Sequence, residues 1–253
     1  RFIPATIDDN TFVNAEYRRN LEDLTGWMLR AWRYGDWDIS AGQFFVNFDI
    51  NLHVIEPFFA PSDWRFWLAL DYGFTHYTVI YLLAQSHDGT IYIVDEHAER
   101  QWLVPQHAAA LRTLLARNHL ETRQLEAFVA GSDVFARTGA AERTIAEQYA
   151  DEGFDLEPAD MDRVNGAAQI MRRLGNPNRG IAPTLFIFDR CKRLAATLPA
   201  LVHNPNRPED VLKVDADEDG SGGDDAYDSC RYGVMFTTGR LEYAPSPAVG
   251  YRG

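Results

Sequence analysis

Between Arg65 and Val94 three short apolar runs follow one another with only turns between them: RFWLAL, YTVIYLLA and IYIV. Gly73 breaks the first connection and Ser86-His87-Asp88-Gly89 the second. Runs this short, rich in β-branched and aromatic side chains and joined by turn residues, predict three antiparallel strands in a meander. The first ends at Asp71, and Asp95-Glu96 ends the third, expected there as surface strand-end acids. A sheet started this way needs covering layers, and the rest of the chain supplies them.

Pro105 to Asn118 reads as a helix, with proline in the first turn, where its missing N–H is no loss. Leu125–Gly131 (LEAFVAG) predicts a fourth strand, stopping just before Ser132-Asp133. A helix over roughly 140–152, a short strand Phe154–Glu157, a helix Arg163–Leu174, a strand Thr184–Phe188 and a helix Cys191–Val202 follow. An acidic loop then leads to a last helix from about Gly223 to Thr237, and the segments 204–223 and 243–253 read as mobile. Three strands, then helix and strand in alternation, is the order of a ribonuclease-H-like domain. That is an α/β fold whose mixed sheet has three antiparallel strands, then parallel ones, flanked by helices.

Residues 1–53 have a different texture. Tyr17, Leu21, Leu24, Met28 and Ala31 share one face of a predicted amphipathic helix over 14–34, and an aromatic-rich stretch leads on to Pro61. We read 1–53 as a helical connector and 54–253 as the main domain. The chain opens at Arg1 without a methionine, so it is expected to be a piece of something longer. No apolar run approaches the roughly 20 residues of a membrane span, and no signal-peptide pattern is present. Cys191 and Cys230 suit buried thiols in a reducing compartment, not a disulfide.

A net charge of −13 argues against a general nucleic-acid binder. The distribution of charge qualifies that. Among the 24 cationic residues only Lys192 and Lys213 are lysine, and arginine is suited to forked contact with phosphates. Arg163, Arg172 and Arg173 fall close together on one predicted helix and are the candidate DNA contacts.

Acidic residues mark the chemistry. Asp71 ends the first strand as D-Y-G, Asp133 follows the fourth strand, and Asp225 and Asp228 stand three apart at the start of the last helix, facing the same way. The first and fourth strands are neighbours in this sheet order, which brings Asp71 and Asp133 together. Clustered carboxylates repel unless a cation lies between them, and hard Mg²⁺ or Mn²⁺ prefers oxygen ligands. Two such ions fit phosphodiester hydrolysis. Asp215, Asp217, Asp219 and Gly220 match the opening of a calcium loop, but Ala226 stands where its bidentate glutamate is needed. The histidines show no zinc spacing, and only His76, close after Asp71, is of interest. No G-x-S-x-G occurs. Arg231-Tyr232 is expected to anchor the last helix.

The ordered set LALDYGFTHYTVIYLL, VAGSD, TIAEQYADEGFDLEPADMDRVNGAAQIMRRL, LFIFDRCKRLAATLPAL and DDAYDSCRYGVM resembles the nuclease domain of phage large terminases, over roughly residues 54–240. The resemblance implies a two-metal endonuclease that cuts concatemeric double-stranded DNA during genome packaging in the host cytoplasm, without a membrane. It also implies a portal protein and a small terminase subunit as partners, and metal-binding roles for Asp71, Asp133 and the last helix-start acids. Many relatives resemble D-H-x-x-D-A-x-R-Y at that point, whereas this chain has D-D-A-Y-D-S-C-R-Y, so Asp224 and Asp225 both stand as ligand candidates beside Asp228. No G-x-x-x-x-G-K-[ST] occurs, so the ATPase that precedes the nuclease in that family is not assigned here. Two other classes compete: an actin-like or sugar-kinase-type phosphotransfer domain, and a non-catalytic assembly module that docks on a portal or motor.

Overall fold

The computed structural model describes residues 42–137, 142–217 and 222–241. The helix expected over 14–34 and the tail 243–253 lie outside the described residues. A one-turn helix α1 (Ile50–His53) leads into β1 (Val54–Ile55), and the meander follows as β2 (Arg65–Asp71), β3 (Thr78–Gln85) and β4 (Ile91–Glu99). Then come α2 (Val104–Arg117), β5 (Leu125–Ala130), α3 (Ile145–Asp151), β6 (Glu157–Pro158), α4 (Arg163–Arg173), β7 (Leu185–Phe188) and α5 (Lys192–Thr197). A small hairpin, β8 (His203–Asn204) and β9 (Arg207–Val211), precedes the closing helix α6 (Asp225–Leu241).

The seven-stranded sheet runs β1-β7-β4-β3-β2-β5-β6. β2, β3 and β4 pair antiparallel, and β5, β6, β7 and β1 add on in parallel. This is the mixed ribonuclease-H-like sheet expected from the order of elements. All eight residues of β3 are buried, the state of a central strand covered on both faces. α6 packs across β2, β3 and β5, while α2 packs on β4. The cover is specific: Ser229 Oγ donates to the Ala69 carbonyl and Trp67 Nε1 to the Gly233 carbonyl, each at 2.9 Å.

Local chemistry sets the helix starts. In α3 the Thr144 hydroxyl accepts from the Glu147 amide, and the Glu147 carboxylate accepts from the Thr144 amide, a reciprocal cap. Asp162 caps α4 by accepting from the Asn165 amide at 3.0 Å.

Several boundaries depart from expectation: β6 is Glu157–Pro158 rather than Phe154–Glu157, and α3 begins at Ile145 rather than near 140. β4 continues to Glu99, so Asp95 and Glu96 lie inside the strand. Asp95 is buried and paired with Arg117 and Arg190, and Glu96 accepts from the amides of Arg193 and Leu194 and from the Tyr81 hydroxyl. Charged residues belong in a strand once each has such partners. The helix expected to reach Val202 stops at Thr197 and gives way to a tight turn, Leu198–Ala200, because Pro199 has no N–H to extend it. Residues 203–211, expected as loop, form the hairpin, whose Asn204 side chain accepts from the Asn206 amide at 2.9 Å.

The core extends upstream of position 54. Phe44 and Phe45 are fully buried, and the Phe45 ring lies 5.6 Å from that of Tyr227 on α6. Among the described residues no helix is long and apolar enough to cross a membrane.

Candidate metal centre

Asp71 stands at the carboxyl end of β2, half-buried, where the chain turns through Gly73. A Cβ on Gly73 would stand 2.8 Å from the Tyr77 carbonyl, so only glycine permits this turn directly after the acid. The Thr78 hydroxyl donates to the Gly73 carbonyl and accepts from its amide, fixing the turn. β5 lies parallel beside β2, with Leu70 opposite Ala130 and the Gly131 amide donating to the Leu70 carbonyl. The chain leaves β5 in a single 3₁₀ turn, Ser132–Phe135, which carries Asp133 exposed at the mouth of the site. A Cβ on Gly131 would stand 2.8 Å from the Asp133 carboxylate and 3.3 Å from the Tyr232 hydroxyl. Gly131 therefore lets strand end, acid and last helix meet.

α6 brings the other acids. Asp224 precedes it, Asp225 opens it and Asp228 lies one turn on, with the Asp228 amide donating to the Asp224 carbonyl at 2.8 Å. Acids in a first turn are favoured by the helix dipole, but their mutual repulsion is not. Burial, and then the charges of Asp228, Asp225, Asp133 and Asp224 in that order, push the Asp71 carboxyl well above the ordinary carboxylate range. Burial and then Asp228 raise Asp224 to about 6, against the opposing pull of Arg163 and Lys213. Burial raises Asp225 too, opposed by Arg193 and His76. The acids expected to converge from sequence thus share one electrostatic environment.

Arg163, on α4, is the main counterweight. Its Nη1 lies 2.9 Å from both Asp228 oxygens, its Nε donates to Asp210, and its Nη2 stands 3.5 Å from Asp224. Arg231 adds a second cation, its Nη2 3.1 Å from Asp228. Arg231 reaches this place across Gly166, whose absent Cβ would stand 2.4 Å from the Arg231 Cγ. Tyr232 packs at the site with its hydroxyl pushed up by burial and by Asp71 and Asp228. Arg231-Tyr232 therefore anchors α6, as its position one turn past Asp228 implies.

The arginines expected to meet DNA are placed otherwise. Arg163 is turned inward, because positions 163, 166, 167 and 170 form the buried face of α4. Arg173 donates to the Gly89 carbonyl and to Thr237, so it is half-buried against the sheet. Arg172 alone of the three is exposed. Asp210, which sequence reasoning passed over, is buried and completes the Arg163 network from β9. Its one signal was an acid in R-P-E-D-V, a run with no alternation of apolar residues to mark a strand.

The residues fit a hard divalent cation in kind. All candidate donors are carboxylates, and the buried Asp224 Oδ2 and Asp225 Oδ2 have no hydrogen-bond partner. Among the described residues no three acid, histidine or cysteine side chains close into a ready ligand set.

No protein family and no curated protein matches the chain by sequence. Solved structures do match. The chain is similar to the large terminase of a thermophilic bacteriophage in complex with ADP, with a TM-score of 0.68 and 18% identity over 90% of this chain and 53% of that one. It is similar to the P22 large terminase nuclease domain, with a TM-score of 0.61 and 18% identity over 78% of this chain and 93% of that one. The HK97 bacteriophage large terminase gives a TM-score of 0.51 at 9% identity, over 90% of this chain and 51% of that one. The chain spans about half the length of the ADP-bound terminase. Its fold is the one these terminase structures share.

Proposed function

We propose that this domain is the endonuclease of a phage large terminase, a metal-dependent phosphodiester hydrolase that cuts concatemeric double-stranded DNA during genome packaging. The observation that carries the reading is the gathering of five acids: Asp71 at the end of β2, Asp133 just past the neighbouring β5, and Asp224, Asp225 and Asp228 at the start of α6, which packs on both strands. Such an arrangement is unfavourable for the bare protein and makes sense as a seat for positive charge. The fold shared with the P22 nuclease domain supports the same reading.

Asp71, Asp133, Asp224, Asp225 and Asp228 would hold Mg²⁺ or Mn²⁺, the charge of Asp228 being offset in part by Arg163 and Arg231. A pair of such ions would supply activation of the attacking water and stabilisation of the leaving oxygen. The protein's own part is positional. The Gly73 turn fixes the end of β2, the bonds from Ser229 and Trp67 fix α6 on the sheet, and Arg163 fixes Asp228 against α4. The portal protein and the small terminase subunit are the partners such a domain would work with, in the host cytoplasm.

Supercoiled plasmid incubated with Mn²⁺ tests the reading. Nicking and linearisation that chelator stops, and that Asp71→Asn abolishes while the domain stays folded, are expected. A folded wild-type domain inactive with both Mn²⁺ and Mg²⁺ would sink it.

A further inference from the structure

Two guanidinium groups lie over one aromatic ring beside the acid cluster. Arg193 sits with its central carbon 3.6 Å from the centroid of Tyr77, and Arg100 sits 5.0 Å from the same centroid. Arg100 follows β4, and Arg193 lies in the first turn of α5, where Glu96 accepts from the backbone amides of Arg193 and Leu194 at 2.9 and 3.0 Å. The Glu96 carboxylate also accepts from the Tyr81 hydroxyl of β3, so the start of α5 is tied to the central strands. Arg193 is thus presented from fixed backbone.

What they touch is the acidic segment. Arg193 Nη2 donates to the Gly222 carbonyl at 2.9 Å and lies 3.7 Å from Asp225 Oδ2. Arg100 Nη1 donates to the Asp217 carbonyl at 3.4 Å. His76 adds a third contact, 3.8 Å from Asp215. Residues 214–216 and 222–224 are themselves held together, with Ala216 bridged to Gly222 and the Asp224 amide donating to the Val214 carbonyl at 3.0 Å. A guanidinium fork matches two charged oxygens on one phosphorus better than single neutral carbonyls. It also keeps its stacking on an aromatic ring while it exchanges one acceptor for another.

We propose that Arg100 and Arg193, stacked on Tyr77, form a phosphodiester clamp beside the acid cluster, and that the Asp217 and Gly222 carbonyls occupy it in place of backbone phosphate. The proposal rests on the endonuclease reading for the identity of its ligand, the backbone of duplex DNA. It places the strand next to Asp225 while keeping its phosphates on cations, which the acid cluster cannot supply. It also gives the Asp217 and Gly222 carbonyls a defined place, exchanged for phosphate when the duplex arrives. The exposed face of α4, where Arg172 lies, is not required.

Binding measured without metal tests this separately from catalysis. A short fluorescent duplex is titrated in chelator at several salt concentrations against wild type, the Arg100→Gln/Arg193→Gln double variant and the Arg100→Lys/Arg193→Lys pair. The glutamine pair is expected to weaken binding on the order of tenfold at low salt, and to lower the slope of log affinity against log salt by about two units, near 0.9 per lost phosphate contact. The lysine pair, which keeps both charges, is expected to hold the slope, and it keeps the test open if the glutamine pair misfolds. In wild type, saturating duplex is expected to speed hydrogen exchange at the Asp224 amide as its bond to Val214 opens. An unchanged slope in the folded glutamine pair, a slope lost equally in the lysine pair, an unchanged Asp224 exchange rate, or no duplex binding by wild type at low salt would each overturn the clamp. Clamp-dependent binding with no metal-dependent cutting would overturn the endonuclease reading and leave the clamp standing.

Discussion

Arg163 holds Asp228 by both carboxylate oxygens, each 2.9 Å from its Nη1, across the contact between α4 and α6. The pair is largely shielded, with side chains 17% and 8% exposed, and Asp210 and Asp224 crowd the same guanidinium. An ion pair so placed owes its worth less to attraction than to the penalty of leaving its acids without a counter-charge. Arg163→Gln is therefore expected to destabilise the metal-free domain by about 3 kcal/mol, the low end for breaking a buried pair. The urea midpoint measures this, and a loss under about 1 kcal/mol, the range of surface pairs, would show the network to be dispensable.

Gly166 sets two magnitudes against each other. Alanine is the better helix former by about 1 kcal/mol in a helix interior. Its Cβ, however, would stand 2.4 Å from the Arg231 Cγ and 2.7 Å from the Cδ of a side chain that is 1% exposed and bound to Asp228. Overpacking of this kind costs about 1–3 kcal/mol, and displacing Arg231 adds to it. Gly166→Ala is expected to lower stability by about 1–2 kcal/mol net, read by thermal melting. A variant as stable as wild type would mean that Arg231 can move without loss.

The order of elements was legible because each strand of the meander is a dense apolar run, whereas the T-x-x-E cap at Thr144, which starts α3 at Ile145 rather than near 140, was passed over. The places of Asp71 and Asp133 were legible for the same reason: one ends β2, the other follows β5, and the neighbour relation of those strands follows from topology alone. The sides of α4 were not. Arg163 and Arg173 look like surface cations in a list, and only the acids brought by α6 and β9, distant in sequence, turn Arg163 inward. Asp210 was hidden in the same way, since a two-strand hairpin with Pro208 and charged residues shows no period of two.

Asp71→Asn separates site from scaffold. A carboxyl whose folded pKa is raised binds its proton more tightly in the native state. Its stabilising effect is complete below the ordinary carboxylate value and is lost as pH rises through the folded value. Without metal, Asp71→Asn is expected to melt above wild type at pH 8, and the difference should vanish at pH 3, below the ordinary value of 3.8. Added Mn²⁺ is expected to raise the melting point of wild type and not of the variant. A variant that melts below wild type at pH 8 would make Asp71 structural.

The last prediction concerns two opposed titrations. His97 Nε2 and His107 Nδ1 stand 2.8 Å apart between β4 and α2, packed against Trp102. Burial lowers both to about 4, and for His97 the charges of His107 and Arg117 add to the effect. A histidine with a depressed folded pKa stabilises the protein above its unfolded value of 6.5, and that contribution is lost as pH falls toward about 4. Asp224, raised to about 6, works the other way: its contribution is full below 3.8 and is lost as pH climbs through 6. Across pH 4 to 6 the two slopes oppose each other in wild type. Asp224→Asn removes the second and is expected to make metal-free stability rise more steeply with pH over that window, while His97→Gln is expected to flatten it or reverse its sign. Urea unfolding at half-unit pH steps reads both slopes. Equal slopes in wild type and both variants would mean that neither group carries the pH dependence, and that His97 in the folded protein takes up its proton near the ordinary value of 6.5.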